Sequence, residues 1–316
     1  MSKKIETVLI GTSLTEASNQ VVQAGLNVAR AAKARVVLAH AWPPHILYGG
    51  APGIPELPEA AEARRENLRR KMEGQAHRLG IRPEERAGTV LELGPAHQML
   101  FATAKATNAD VIVVGAAEEP ILARMLGSTA DRVVRKATCP VLVVRRELPM
   151  PPARVLLPVD LSLHSAEALR EGLKVLGFLA GELGDGTNLE ALYVITDLDR
   201  HLFAPGEAPE QADMKGWDEL GRFLARHAAG SAFEVVPRTA SGYVEDEILR
   251  RIREWEPDLV VLGSHGRGGF ERFLLGGVAT RIVHNGDANV LIVPPAAARE
   301  QDGAVREDVE QEVLVG

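Results

Sequence analysis

The chain has 316 residues, a formal net charge of -7 and a pI near 5.8, which suits two domains of about 150 residues, each with its own core. The acid excess argues against nucleic acid as the main partner, because a phosphate backbone calls for a basic face. The start MSKKIETVLIG has no long apolar run, and the lone Cys139 cannot form an internal disulfide, so the expectation is a cytoplasmic protein without a membrane span.

In chain order, short apolar runs at 8–13, 34–41, 86–93 (the weakest), 110–116 and 140–145 alternate with helical patterns at 16–32, 60–79 and 96–107. The second part repeats the scheme, with strands at 154–160, 189–196, 233–240, 258–264 and 289–295 and helices at 165–180, 212–229, 244–254 and 278–285. Strands this short and apolar belong to parallel sheets covered by helices on both faces. The expected fold is therefore α/β, with two tandem doubly wound, Rossmann-like domains, each built on a five-stranded parallel sheet. Ligands then belong at the carboxyl ends of the strands. The expected boundaries are 1–146 and 154–295, with a proline-rich linker at 147–153 and an acidic tail at 296–316.

The halves are copies. VLIGTS matches VLLPVD at an offset of 147, ADVIVVG matches PDLVVLG at 148, and PVLVV matches NVLIV at 149. Offsets that drift by single residues indicate collinear duplication, and one of the slips falls between Gly115 and Gly127. The last strand of each half would leave an apolar edge that needs covering, so 141–144 is expected to pair antiparallel with 290–293 within one chain.

The segment DLVVLGSHGRGGFERFLLGGVATRIV carries the chemistry. Gly263, Gly266, Gly276 and Gly277 can bring bare N–H groups close to an anion, and the dipole of the following helix adds partial positive charge. Arg267 is in reach of a phosphate, with a solvated side chain as the bland alternative. Strand, G-x2-G-x9-G and helix together resemble the nucleotide-binding signature of the universal stress protein family, and the likeness covers about 290 residues in tandem.

That resemblance implies the adenine nucleotide alpha hydrolase-like form of the fold. It also implies ATP, with or without Mg, bound by Pro158 and Asp160 at the end of the first strand of the second half and by Val194 near the adenine. The loop residues would be Gly263, His265, Gly266 and Arg267, and the helix start Gly276, Gly277 and Val278. Gly277 stands where the family has a serine or threonine, so a hydroxyl contact is missing there. Asp160 can equally cap the helix that follows it.

The first half replaces Asp160 by Ser13 and Gly266 by Glu118, and its loop is one residue shorter. A carboxylate about 5 Å from a phosphate charge costs about 3 kcal/mol at an effective dielectric near 20, so that half is expected to be a partner domain or to bind something less anionic. No Walker phosphate loop, nucleophile elbow or Cys/His cluster is present,. His40 and His45 are weak zinc candidates, and Ser264 and His265 lack an evident base. Cys139 reads as a buried structural thiol, and Arg250, Arg251 and Arg253 as a solvated face.

The function expected from the resemblance is that of an ATP-binding stress-response regulator, not an enzyme, acting as a homodimer of tandem chains with an unidentified protein partner. A slow ATPase or nucleotide-dependent transferase, and a nucleotide-free interaction module, are the alternatives.

Overall fold

The computed structural model describes residues 4–42, 58–116, 127–180, 186–203, 205–206, 208–264 and 275–295. The first half comprises β1 (Thr7–Gly11), α1 (Asn19–Ala32), β2 (Arg35–Trp42), α2 (Pro58–Arg78) and β3 (Arg86–Leu93). It continues through α3 (Ala96–Ala106), β4 (Val111–Gly115), α4 (Ser128–Lys136) and β5 (Val141–Val144). The second half begins with β6 (Arg154–Val159), α5 (Leu163–Ala180), β7 (Asn188–Ile195), α6 (Asp197–Phe203) and α7 (Pro209–His227). It ends with β8 (Val235–Ser241), α8 (Val244–Trp255), β9 (Leu259–Gly263), α9 (Gly277–Asn285) and β10 (Asn289–Val293). Two helices, α4 and α6, were not among those expected; α6 has only seven residues, too few for a helical period to register,, whereas α4 is as long as its expected counterpart α9.

The strands form one sheet in the order β3-β2-β1-β4-β5-β10-β9-β6-β7-β8. Within each half every pairing is parallel. The halves join through the expected antiparallel pair, with Val141 opposite Ile292, Leu142 opposite Leu291 and Val143 opposite Val290. Each half thus covers the other's apolar edge, and the junction has local pseudo-twofold symmetry. Beside it, His284 Nε2 lies 3.2 Å from Asp131 Oδ1. Arg135 and then His284 hold that carboxyl below the usual carboxylate range.

Both faces of the sheet are buried except at its edge strands β3 and β8, which are only partly covered. Ile10, Val113, Leu142 and Val261 pack under α1, α5 and α7, whereas Leu9, Ile112, Val143 and Val260 pack under α3, α4, α8 and α9. Val8, Leu9 and Ile10 are all fully buried, the pattern of a parallel strand covered on both sides. Duplication extends to detail. Gly25 and Gly172 let α1 and α5 approach the sheet so closely that a Cβ would lie 2.6 Å from Ile10 and from Val261 respectively. Asp110 Oδ2 accepts the N–H groups of Glu6 and Thr7, and Asp258 Oδ2 those of Ala153 and Arg154.

Three side chains depart from the sequence reading. Arg251 is not solvated: its guanidinium grips the buried Glu190 through bonds of 2.7 and 2.6 Å and lies 4.9 Å over the Trp255 ring. Helical position alone placed it with Arg250, which does bind the surface carboxylates Glu247 and Glu254. Cys139 is only partly buried, because it precedes β5 and lines a cavity below the strand. The segment after β5 is packed chain rather than a loose connection: Leu148 is 2% exposed.

Candidate functional site

The order 8-7-6-9-10 in the second half makes β6 and β9 the strands at which the winding reverses. Their carboxyl ends splay apart there and open a crevice. Pro158 and Asp160 stand on the β6 side, and both are half-buried. The chain turns sharply after Asp160: Leu161 has φ 64, and Asp160 Oδ1 accepts the Ser162 N–H at 2.9 Å. The Ser165 hydroxyl accepts the Asp160 N–H at 3.2 Å. Asp160 therefore closes a turn ahead of α5, whose cap is Ser162: its hydroxyl accepts the Ser165 N–H at 3.1 Å and its carbonyl the Ala166 N–H at 2.9 Å,. The first half makes the same turn with Leu14 at φ 62, where Thr12 Oγ1 accepts the Leu14 N–H instead. A leucine with positive φ thus stands at the equivalent position of both crevices.

On the β9 side, Gly263 ends the strand, and Ser264 is buried with its N–H on Val293 O at 3.0 Å. The Ser264 carbonyl then accepts the Gly276 N–H at 2.8 Å. This bond pins the two ends of the glycine loop together and delivers the chain directly into α9. The first intrahelical bond of α9 runs from Thr280 N to Gly276 O, so the N–H groups of Gly277, Val278 and Ala279 precede it and point out of the helix start. Gly277 is exposed, and a Cβ built on it meets nothing within 4 Å. Backbone donors at an unobstructed helix N-terminus are what an anion needs.

Val194 lies near the end of β7, and its side chain is 4% exposed within the apolar layer that includes Leu156, Leu192 and Ile248. His265, Gly266 and Arg267 lie outside the described residues, as do Glu118 and His45.

The first half builds the corresponding crevice between β1 and β4. It holds a cavity of about 730 Å³, lined among others by Ser13, His40, Gly115, Ser128 and Arg145. Its loop is pinned in the same way, with the Gly127 N–H on Ala116 O and the Ala116 N–H on Val144 O. Between the pins lie ten residues, 117–126, against eleven, 265–275, in the second half. Ser128 occupies the position of Gly277. That hydroxyl, present in the half expected to be degenerate, was legible from the offset of 149.

Part of this wall is occupied by the protein's own polar network. The Thr12 hydroxyl donates to Gln75 Oε1 at 2.9 Å, and the Gln75 amide donates to Ser18 and Asn19. His40 Nδ1 lies 2.8 Å from Thr12 O. Among the described residues no group of three His, Cys, Asp or Glu side chains is arranged to hold a metal.

The model of the Universal stress protein family matches residues 4–145 and again 152–294. The chain belongs to that family. A universal stress protein of Mycolicibacterium smegmatis is 27% identical over 320 residues, covering 91% of this chain and 97% of that one. Among solved structures, a protein of unknown function from Pseudomonas aeruginosa PAO1 superposes with a TM-score of 0.66 at 15% identity, over 96% of this chain and 98% of the other. A universal stress protein of Archaeoglobus fulgidus does so with a TM-score of 0.65 at 17% identity, over 92% and 99%. The tandem architecture is thus the fold of these relatives along nearly their whole length. No helix among the described residues is long and apolar enough to cross a membrane.

Proposed function

We propose that this tandem universal stress protein is a stress-response regulator that binds one ATP per chain in its second half. The adenosine end lies toward Asp160, Pro158 and Val194, and the phosphates meet Gly263, Gly266, Gly276 and Gly277, with His265, Arg267 and Val278 flanking them. The observation that carries this reading is the loop pinned by Ser264 and Gly276 at the open N-terminus of α9. There N–H groups that precede the first intrahelical bond and a missing side chain at Gly277 suit a polyanion. Val194 is buried, so its role is that of an apolar floor for the base.

Binding without an attacking group, a base or an oriented water gives no differential stabilisation of a transition state, so the protein acts by holding nucleotide and not by efficient turnover. Two family units, 1–146 and 154–295, and a homodimer of tandem chains are part of the same proposal. Heat denaturation of the purified protein and analysis of the supernatant test it directly. Co-purified ATP supports a regulator, ADP with turnover supports an ATPase, and neither nucleotide favours an interaction module. Gly266→Glu copies the first-half substitution and is expected to weaken ATP binding by about 3 kcal/mol; full affinity in this variant overturns the assignment.

A second reading has its own observation. The cavity of about 730 Å³ with Ser13 and Ser128 on its wall is of ligand size, which favours a less anionic small molecule in the first half.

A further inference from the structure

The pseudo-twofold at the β5–β10 junction sends the chain leaving each half past the strand bases of the other. After β5, the Arg145 and Arg146 N–H groups bind Asn289 Oδ1 at 2.9 and 3.2 Å. The Arg145 guanidinium bonds to the carbonyls of Val283 and His284, and that of Arg146 to Pro257 O at 2.6 Å. Asp287 adds an electrostatic attraction for Arg145. Basic exit chain therefore fills the groove at the base of the second half, and Leu148 is buried beyond it.

The counterpart groove, at the base of the first half, is a cavity of about 410 Å³. Ala109 and Pro140 line it where Pro257 and Asn289 line the filled one, at the repeat offsets of 148 and 149. Its apolar walls include Phe101 and Phe178, and Lys4, Lys105, Lys136 and Lys174 stand around it. All four lysines are exposed. Two carboxylates also line it, Asp110 and Glu171. Asp110 receives the N–H groups of Glu6 and Thr7, and Glu171 pairs with Lys174 at 2.5 Å. The groove is therefore basic where its filled counterpart receives a basic chain.

Strand register leads the other exit chain to this opening. Ile292 lies opposite Val141, so the chain leaving β10 runs past Pro140 at the cavity wall. It continues as residues 296–316, which carry six carboxylates, Glu300, Asp302, Glu307, Asp308, Glu310 and Glu312, against Arg299 and Arg306.

We propose that the acidic segment 300–312 docks in the lysine-rimmed cavity of its own chain, as the Arg145–Arg146 segment docks in the counterpart groove, with the charges exchanged. Each half then holds the exit chain of the other, and the tail competes with any organic anion for the four lysines.

Cys139, the only cysteine, lines the cavity and reports its cover. In the full chain at about 20 mM salt, iodoacetamide is expected to label Cys139 at least about fivefold more slowly than in a variant with all six tail carboxylates changed to amides. The difference should collapse at about 1 M salt, where the Debye length is about 3 Å. The double change Lys105→Glu and Lys136→Glu should release the tail in the same way. Carbodiimide should join tail carboxylates to Lys4, Lys105, Lys136 or Lys174 within monomeric chains. Equal labelling rates in all three proteins overturn the proposal, and so do crosslinks found only between chains.

Discussion

Gly277 is the position at which a single atom group tests the nucleotide assignment. It is the first residue of α9, and a Cβ there has no neighbour within 4 Å, so Gly277→Ser adds a hydroxyl without displacing anything. The helix itself should tolerate the change, because serine is about 0.5 kcal/mol better than glycine in helix interiors. A hydroxyl donating to a phosphate oxygen makes a bond to a charged group, worth about 1.5 to 3 kcal/mol. At 1.4 kcal/mol per decade this is a gain of about 10- to 150-fold in ATP affinity. Calorimetry at fixed salt and magnesium should compare wild type, Gly277→Ser and Gly277→Ala. Alanine adds the same Cβ without the donor, so its affinity should stay near that of wild type. If serine binds ATP no more tightly than alanine, phosphate does not approach the start of α9 and the site geometry is wrong.

Two further outcomes concern stability. Gly172→Ala drives a Cβ to 2.6 Å from Val261; overpacking of about 1 to 3 kcal/mol should outweigh the helix-propensity gain of about 1, lowering the urea midpoint, and Val261→Ala in the same chain should reverse the sign. Glu85 is held well below its ordinary 4.5 chiefly by hydrogen bonds from Arg30 and Arg82. Its folded value is depressed, so its contribution is complete above about pH 4.5 and declines as pH falls toward the folded value. Urea midpoints from pH 7 to 2 should therefore fall less steeply for Glu85→Gln than for wild type, and parallel curves would contradict the assignment.

The duplication made much of the fold legible, because apolar runs repeated at offsets of 147 to 149 are hard to produce by chance. Even the weak strand at 86–93 coincides with β3. The antiparallel pairing of β5 with β10 followed from the need to cover two apolar edges. What escaped was set by tertiary contacts. Glu190 is a buried carboxylate in β7 that captures Arg251 from α8, a pairing across 61 residues with no local signature. Cys139 sits at the lower end of its strand, where apolar neighbours in sequence do not mean apolar neighbours in space. The glycine motif spans the end of β9 and the start of α9, but the bond between Ser264 and Gly276 that ties them together is visible only in three dimensions.

Comparing the two crevices shows that neither copy is simply the intact one. The second half has Asp160, Gly266 and an eleven-residue loop but lacks the hydroxyl at Gly277. The first has Ser128 at that helix start but carries Ser13, Glu118 and a ten-residue loop. Since both loops are pinned by equivalent bonds, from Gly276 to Ser264 and from Gly127 to Ala116, the segment between the pins is a replaceable unit. Transplanting 265–275 in place of 117–126, together with Ser13→Asp, should therefore build a second ATP site. Ser128 would supply a hydroxyl donor where the proposed second-half site has Gly277, and the cavity beside it has ligand size. Calorimetry should show a stoichiometry rising from one to two, with the new site at least as tight as the old. Glu118→Gly alone should leave one, because the loop remains a residue short. A transplanted chain that folds, retains the second-half site and still binds a single ATP would show that the first half is closed to nucleotide by something other than its loop, and the Thr12–Gln75–Ser18 network is the wall to alter next.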